Sequence, residues 1–341
     1  MRAEPLRAAA TARVAGTAFA LAAGLLWGLV FVVPLLLPEY PAALLSFGRY
    51  LAFGLIALPL AWLDRARLRT LTRADWIEAL KLAAIGNLLY YVLLAAAIQR
   101  AGAPLPTMII GTLPVVIAIA SNLRAADSAA GRRDGRLPWA KLAPSLLLIA
   151  AGIALVNHVE LDLLRAGGAA DLRSYALGAL LAAGAAACWT WYPIRNADWL
   201  RAHADRSPRT WATAQGVATL PLAAVGLALY WLLGRLGEDA SGPLLGPTPE
   251  RFILLMLAVG LLASWLGTLC WNEASQRLPT TLAGQLIVFE TLAALGYAFV
   301  LRGAWPTPAT LAGIALLVAG VASALRIRPE PPAQVGAGAP R

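Results

Sequence analysis

Apolar residues occur in ten long runs along this chain, and short polar or charged segments separate the runs. An α-helix rises about 1.5 Å per residue, so about 20 apolar residues cross a hydrocarbon core of about 30 Å. Because each run is about that long, the pattern predicts an all-α polytopic membrane protein. The ten predicted spans cover residues 14–37, 42–63, 76–98, 104–123, 138–157, 174–195, 210–233, 252–275, 280–301 and 306–326.

The composition agrees with a membrane environment. The chain has 341 residues, of which 60% are hydrophobic and 13% are charged, and its mean hydropathy is +0.68. Soluble domains carry roughly a quarter charged residues. No loop between the predicted spans is long enough to bury a core of its own, so we expect a single membrane bundle without a soluble domain.

The net charge of +10 would suggest nucleic-acid binding in a soluble protein. Here the arginines lie in short loops between apolar runs, and no basic recognition helix is present. We therefore expect no nucleic-acid partner. Arginine greatly outnumbers lysine, which occurs only at Lys81 and Lys141, and we attribute this excess to coding bias.

Basic residues near the ends of the spans set the orientation of the chain. With the amino terminus in the cytoplasm, 20 of the 28 basic residues fall in cytoplasmic segments and 6 fall on the other side. Arg49 and Lys81 lie within spans. Since an odd number of spans would break this alternation, the charges predict an even number in the cytoplasmic (inner) membrane, with both termini in the cytoplasm.

The first apolar run does not have the features of a signal peptide, and the two cysteines do not have the spacing of a zinc site or a disulfide framework. The run at 14–37 is too long for a signal peptide and ends at Pro38 and Glu39 rather than at a small-residue cleavage site, so it is a retained span. Cys188 and Cys270 fall inside spans without a CxxC neighbour, which predicts two small core residues rather than a disulfide or a zinc site. We expect no cofactor and no metal.

Short matches between the two halves of the chain indicate an internal duplication. The sequence AIQR at 97–100 joins spans three and four, and ASQR at 274–277 joins spans eight and nine. The runs LLLIAAGIAL from Leu146 and IALLVAGVAS from Ile314 end the two halves. The predicted repeats cover 14–157 and 174–326, with short flexible cytoplasmic tails at 1–13 and 327–341.

A repeat of five spans must enter the membrane a second time in the opposite sense, because five is odd. Inverted repeats form two related halves that rock about a site near the midplane, which is the geometry of alternating access in secondary transporters. Membrane enzymes and channels also contain duplications, so the repeat alone does not establish transport.

Several motifs resemble the drug/metabolite transporter superfamily, specifically its EamA-type members. The resemblance covers nearly the whole chain and implies a ten-helix transporter that exports metabolites, amino acids or drugs. The motifs that carry it are Phe47-Gly48-Arg49-Tyr50, Gln276-Arg277-Leu278-Pro279, Val288-Phe289-Glu290-Thr291, Leu311-Ala312-Gly313 and Ala319-Gly320.

The chain departs from this family at three places. The family often has Glu-Pro in the middle of spans four and nine, whereas here Leu113 precedes Pro114, and Thr291 follows Glu290. The usual glutamate before span ten is absent, with Ala304 near its position. The coupling chemistry of the family therefore does not transfer unchanged.

Glu290 and Arg49 are the ionisable residues that draw most attention. Glu290 lies near the centre of span nine, where a charge costs at least ~2.5–3.5 kcal/mol and therefore faces a cavity or a partner. It is a candidate for proton coupling or for contact with a substrate amine, or alternatively a helix-packing acid. Arg49 either attracts a carboxylate or pairs with Glu290, or alternatively snorkels to the headgroups or binds backbone carbonyls.

Aromatic and amide side chains at mid-depth suggest a small-molecule pocket around these charges. Asn87 and Tyr91 are four residues apart and share a helix face with Tyr90. The predicted substrate-binding residues are Trp27, Arg49, Asn87, Tyr90, Tyr91, Trp189, Tyr192, Trp271, Asn272, Gln285 and Glu290.

The predicted function is secondary transport of a small organic solute by alternating access. An enzyme is not expected, because His158 and His203 lie in or beside loops and no metal, nucleophile or phosphate-binding motif occurs. Two alternatives remain: a lipid flippase or membrane enzyme that uses the same cavity, and an assembly partner that does not transport. The partners are a small-molecule solute and membrane lipids, and the sequence leaves open a monomer or a homodimer.

Overall fold

A computed structural model describes residues 3–101, 104–127, 138–166, 172–236, 244–303 and 305–327. These residues form helices joined by short turns, with no strand among them. Outside the described residues lie 328–341 of the predicted tail at 327–341, the loop arginines at 132, 133 and 136, and Ala304.

Each of the ten predicted spans overlaps one or more of these helices, and we keep the names of the spans. A short helix, Arg65–Leu68, lies between spans two and three. The helices of spans one to five are Ala3–Leu36, Ala42–Leu63, Arg73–Lys81 with Leu82–Leu89 and Tyr90–Ala101, Pro104–Gly111 with Leu113–Asp127, and Trp139–Ala166. Those of spans six to ten are Leu172–Ala202, Pro208–Leu236, Pro249–Val259 with Gly260–Leu266 and Gly267–Arg277, Thr280–Leu286 with Val288–Arg302, and Pro308–Leu325.

The chain is an all-α polytopic membrane protein. Within the described part, seven helices are long and apolar enough to cross a bilayer, and they correspond to spans one to three and six to nine. The apolar helices of spans four, five and ten are shorter, at Ile109–Ser121, Trp139–Leu155 and Pro308–Ala324. A count of ten crossings therefore stays a prediction.

Several helices extend beyond the predicted boundaries. Span one begins at Ala3, so most of the segment that we expected to be a flexible tail at 1–13 is helical. Spans five and six continue to Ala166 and Ala202. Hydropathy predicts where lipid ends, whereas polar sequence that contains the good helix formers alanine, leucine, glutamate and arginine continues the helix past that point.

The packing of the spans has the symmetry that a five-plus-five duplication requires. Span three packs against span six as span eight packs against span one, and span four contacts span six as span nine contacts span one. Spans two and seven contact each other directly, as do spans four and nine, and five and ten. Exchanging the two halves leaves this pattern unchanged, so the packing is compatible with the predicted repeat, which stays a prediction.

Matching irregularities occur in both halves. Spans three and eight each contain a π-helical segment, Leu82–Leu89 and Gly260–Leu266. Span four breaks at Thr112, before the proline that cannot donate a backbone hydrogen bond, and span nine breaks at Ile287. Because π-helical turns and breaks re-aim side chains within a helix, they place polar groups of these spans toward the bundle interior.

The paired AIQR and ASQR sequences have equivalent roles. Gln99 donates from Nε2 to the carbonyl oxygen of Tyr40 (2.6 Å), and its Oε1 accepts from the backbone N–H of Ala42 (3.2 Å). Gln276 donates from Nε2 to the carbonyl oxygen of Arg206 (3.0 Å). In each half, the end of the third helix thus holds the turn between the first two.

Spans five and ten pack closely through the glycines that mark the repeat. A Cβ atom on Gly152 would lie 2.6 Å from the carbonyl oxygen of Gly313, and one on Gly320 would lie 2.9 Å from that of Ser145. The Ser145 hydroxyl also donates to the carbonyl oxygen of Gly320 (2.9 Å). Small residues of this kind allow two helix backbones to approach within a membrane.

We expect Gly152→Ala to destabilise the protein by about 1–3 kcal/mol, because the added methyl meets backbone rather than a flexible side chain. Thermal unfolding in detergent measures the effect. Gly296→Ala in span nine is the matched control: nothing lies within 4 Å of its Cβ position, so alanine there is neutral or slightly stabilising. Equal melting temperatures for the two variants would contradict the close contact.

Candidate functional site

A cavity at the centre of the bundle brings together residues from both halves of the chain. Spans one, two and three of the first half and spans six, eight and nine of the second contribute to it, and its volume is about 10 Å³. That is room for about one water molecule, so an organic solute fits only when the surrounding helices move apart. Its lining residues are Trp27, Val30, Arg49, Tyr50, Asn87, Tyr90, Trp189, Ala263, Ser264, Thr268 and Glu290.

Arg49 is buried in this cavity rather than directed to the headgroups, with 4% of its surface exposed. Its Nε donates to the hydroxyl of Ser264 (3.0 Å), and its guanidinium carbon lies 4.8 Å and 4.7 Å from the ring centroids of Tyr50 and Tyr91. These cation–π contacts stabilise the charge. The snorkelling alternative is therefore wrong.

Arg49 leaves one donor without a partner. Its Nη1 atom is buried and makes no hydrogen bond, and Oε2 of Glu290 is likewise buried and unpaired. The two groups line the same cavity without a hydrogen bond between these atoms. An unsatisfied buried polar group costs about 1–3 kcal/mol, more when it is charged, so this arrangement is suited to a ligand that supplies the missing contacts.

Glu290 lies beside the aromatic wall, 2% exposed, one turn after the break in span nine. Its backbone N–H donates to the carbonyl oxygen of Ile287 (2.9 Å), a tight turn that places the side chain at the cavity. The indole of Trp189 faces the carboxylate, but its Nε1–H completes no hydrogen bond. The acid therefore retains capacity to bind a proton or a cationic group.

Stacked aromatic rings form the wall of the cavity. Trp189 lies between Tyr90 and Tyr192, with ring centroids 4.6 Å and 5.0 Å away and nearly parallel planes. Trp27 meets Trp189 edge-on at 4.9 Å and lies 5.3 Å from Trp271. A wall of this kind presents apolar surface and negative ring faces to a solute.

The remaining predicted residues near the cavity have structural partners. Asn87 lines the cavity and donates from Nδ2 to the hydroxyl of Thr219 (3.4 Å). Tyr91 donates to the carbonyl oxygen of Val30 (3.3 Å). Of the eleven predicted residues, six line the cavity directly: Trp27, Arg49, Asn87, Tyr90, Trp189 and Glu290. Tyr91 lies against Arg49, Tyr192 against Trp189, and Trp271 against Trp27.

Asn272 and Gln285 are corrections to the predicted site. Asn272 accepts from Nδ2 of Asn196 (2.8 Å) and donates to the carbonyl oxygen of Pro208 (3.3 Å), in a separate network one turn beyond the cavity. Gln285 is buried, but it is not among the cavity residues, and its amide makes no hydrogen bond. Both side chains are buried, and their direction depends on helix packing.

The prediction missed Tyr50, Ser264 and Thr268. Tyr50 follows Arg49 in sequence and stacks on its guanidinium, so the neighbouring aromatic was a usable signal. Ser264 and Thr268 are polar residues four positions apart inside the apolar part of span eight, on one helix face. Isolated hydroxyls are common in membrane helices, so neither stood out without the π-helical segment that contains Ser264.

Together these features define a class: a polytopic helical membrane protein with a small central cavity lined by unpaired polar atoms. The sequence pattern of the EamA-like transporter family matches residues 14–128. The chain is 54% identical over 323 residues to the inner membrane protein YtfF of Escherichia coli (strain K12), covering 94% of this chain and 97% of YtfF. The chain therefore belongs to the EamA-like family of the drug/metabolite transporter superfamily, which confirms the resemblance.

A solved crystal structure shares the fold. It is 20% identical in sequence, covers 91% of this chain, and is itself covered over 96% of its length, with a TM-score of 0.66. At this level of identity, the similarity establishes the fold alone.

We expect Ser264→Ala to destabilise the protein by about 1–3 kcal/mol, because it removes the hydroxyl that accepts from a buried guanidinium. In an Arg49→Met background the same change is expected to be nearly neutral, since no charge is then left unpaired. A double-mutant cycle on unfolding in detergent measures the coupling. Additive effects of the two substitutions would contradict the role of Ser264.

Proposed function

We propose that this protein is a secondary transporter of the cytoplasmic membrane that moves a small organic solute through the central cavity by alternating access. The observation that carries the proposal is the set of buried, unpaired polar atoms around one cavity. They are Arg49 Nη1, Tyr90 Oη, Trp189 Nε1, Trp271 Nε1 and Glu290 Oε2. Membership of a transporter family and a relative that is an inner membrane protein support it.

The chemistry of these atoms indicates the solute. Arg49 and the neighbouring N–H and O–H groups are donors that suit a carboxylate, whereas Glu290 suits an amine. The indole and phenol rings suit an apolar or cationic body. A zwitterionic or cationic amphipathic solute therefore fits best, and the family resemblance favours export over uptake. Proton coupling is assigned to Glu290 as part of this proposal.

Alternating access is supported by the packing of the two halves. Spans one and three of the first half line the cavity, and so do their counterparts, spans six and eight. Span two also lines it, whereas its counterpart, span seven, packs against span two and contributes no lining residue. Two related halves around a central site can rock relative to each other without breaking their own cores.

A second candidate function is lipid translocation. An apolar groove on the outer surface lies between spans two, seven and eight, and contains no residue of the central cavity. A flippase needs a lateral opening of this kind for an acyl chain. Its lining residues are Leu44, Gly48, Leu51, Ala52, Leu55, Leu227, Leu245, Phe252, Ile253, Met256 and Leu257.

Both termini are proposed to lie in the cytoplasm, because 20 of 28 basic residues then do so. Green fluorescent protein fused after Arg341 is expected to fluoresce, since it folds in the cytoplasm and not after export in unfolded form. Alkaline phosphatase fused at the same position is expected to be inactive. The reverse result for the two fusions would overturn the orientation.

Transport in liposomes tests the proposed function with three solutes that share one indole ring. L-tryptophan is a zwitterion, tryptamine a cation and indole-3-propionate an anion. We expect saturable flux of the zwitterion or the cation. Arg49→Met is expected to reduce flux of solutes that carry a carboxylate at least about tenfold, and Glu290→Gln to reduce flux of those that carry an amine by a similar factor.

Two controls make the transport experiment decisive. Tyr297→Phe, at a tyrosine that hydrogen-bonds the Leu25 carbonyl oxygen away from the cavity, is expected to leave flux unchanged. An imposed pH gradient is expected to accelerate flux of the wild-type protein and not of Glu290→Gln; equal rates with and without the gradient would exclude proton coupling. Scrambling of a fluorescent phospholipid without flux of any indole solute would favour the flippase instead.

A further inference from the structure

A network of buried amide side chains closes one end of the bundle. Tyr192 donates to Oε1 of Gln215 (2.9 Å), and Nε2 of Gln215 donates to Oδ1 of Asn196 (3.1 Å). The same Oδ1 atom accepts from Nε1 of Trp211 (2.8 Å), and Nδ2 of Asn196 donates to Oδ1 of Asn272 (2.8 Å). We call Asn196, Trp211, Gln215 and Asn272 the seal.

The seal joins the ends of three helices on the side of the bundle that we assign to the cytoplasm. Asn196 belongs to span six, Trp211 and Gln215 to span seven, and Asn272 to span eight. All four side chains are fully buried. Asn272 lies one turn beyond Thr268, and Asn196 two turns beyond Trp189, so the seal is about 6–10 Å from the cavity along these helices.

Neighbouring aromatic contacts extend the seal to span three. Trp199 stacks on Trp211 with ring centroids 3.5 Å apart and planes inclined by 9°. Its Nε1 donates to Oδ1 of Asp75 (3.0 Å), near the beginning of span three. While these bonds persist, spans three, six, seven and eight cannot separate at this end, so a path from the cavity to the cytoplasm requires the seal to open.

The seal and the cavity differ in how their hydrogen bonds are satisfied. The amide groups of Asn196, Gln215 and Asn272 have partners, whereas buried donors around the cavity, such as Arg49 Nη1 and Trp189 Nε1, have none. The first arrangement is typical of a closed structural network and the second of a binding site awaiting a ligand.

Tyr192 contacts both the cavity wall and the seal. Its ring stacks on Trp189 at 5.0 Å in the cavity wall, and its hydroxyl holds Gln215 in the seal. Gly86, in the π-helical part of span three, lets the ring lie there, because a Cβ atom at that position would come within 2.1 Å of Cδ2 of Tyr192. The ring is therefore confined between the two structures, and displacement of Trp189 moves the donor of the hydrogen bond.

We propose that Tyr192 is a positioning residue that couples the cavity wall to the cytoplasmic seal. A solute that displaces Trp189 shifts the Tyr192 hydroxyl from Gln215 and weakens the seal, so occupancy of the cavity promotes opening toward the cytoplasm. This coupling rests on the proposed transport function, because it gives the central site a means of controlling access to it.

A cysteine reporter tests the coupling without any solute. Val30→Cys places a thiol in the cavity lining, in a background in which Cys188 and Cys270 are replaced by alanine. A membrane-impermeant methanethiosulfonate reagent is added to inside-out vesicles, where it meets only the cytoplasmic face. We expect Tyr192→Phe to raise the labelling rate about fivefold, since it removes one hydrogen bond and keeps the ring.

The decisive readout is a double-mutant cycle with the cavity wall. Trp189→Ala is expected to raise the labelling rate when Tyr192 is present and to have no further effect in Tyr192→Phe, because the tether is already lost. Asn196→Ala opens the seal directly and is expected to raise labelling in either background. Tyr297→Phe removes a comparable hydrogen bond elsewhere and is expected to leave the rate unchanged.

Two outcomes overturn the coupling and differ from failure of transport itself. If Trp189→Ala raises the labelling rate by the same factor with and without the Tyr192 hydroxyl, the cavity wall and the seal are independent. Unchanged labelling in Tyr192→Phe means that the hydroxyl does not hold the seal. Absence of indole flux in liposomes, with the cycle non-additive, would instead reject the transported solute class and leave the coupling in place.

Discussion

The structure is organised around a positive charge that is held inside a membrane bundle. A guanidinium is costly away from water unless rings, hydroxyls or acids surround it, and Arg49 has Tyr50 and Tyr91 beside it and Ser264 on its Nε. The π-helical segment of span eight brings that serine to the same point. These contacts pair part of the Arg49 guanidinium and leave its Nη1 atom without a hydrogen-bond partner. The cavity that holds the buried cation is therefore also the place where the proposed solute can bind that atom.

The packing of the spans, which is compatible with the predicted repeat, places residues of both halves around the central cavity. Span three packs against span six as span eight packs against span one, and all four of these spans line the cavity. The side chains that fill this scaffold are not symmetric. The cavity carries unpaired donors and one acid, whereas the end of the second half that we propose to be cytoplasmic carries amides that satisfy one another. A symmetric frame with unequal polar contents can bind at its centre and remain closed at one end.

Much of the site could be predicted because a polar residue at mid-depth in an apolar helix rarely lacks a reason. Glu290, Arg49 and the aromatic residues of spans one, three and six were found in this way, and all line or adjoin the cavity. Asn272 has the same sequence signature, yet it belongs to the seal, because the rotation of span eight relative to span six decides which neighbour its amide meets. Ser264 was missed because the direction of its side chain depends on a local π-helical turn.

The sequence by itself determined that the chain is an all-α polytopic membrane protein, and it predicted the ten crossings, the orientation of the chain and the relation between its two halves. Each of these depends on composition and period along the chain, which are local properties. Only the tertiary structure decided which polar groups face one another, because that depends on helix rotation, on breaks at Thr112 and Ile287, and on close glycine contacts. The ten apolar runs specify a bundle, and the packing of the spans makes one point within it a site.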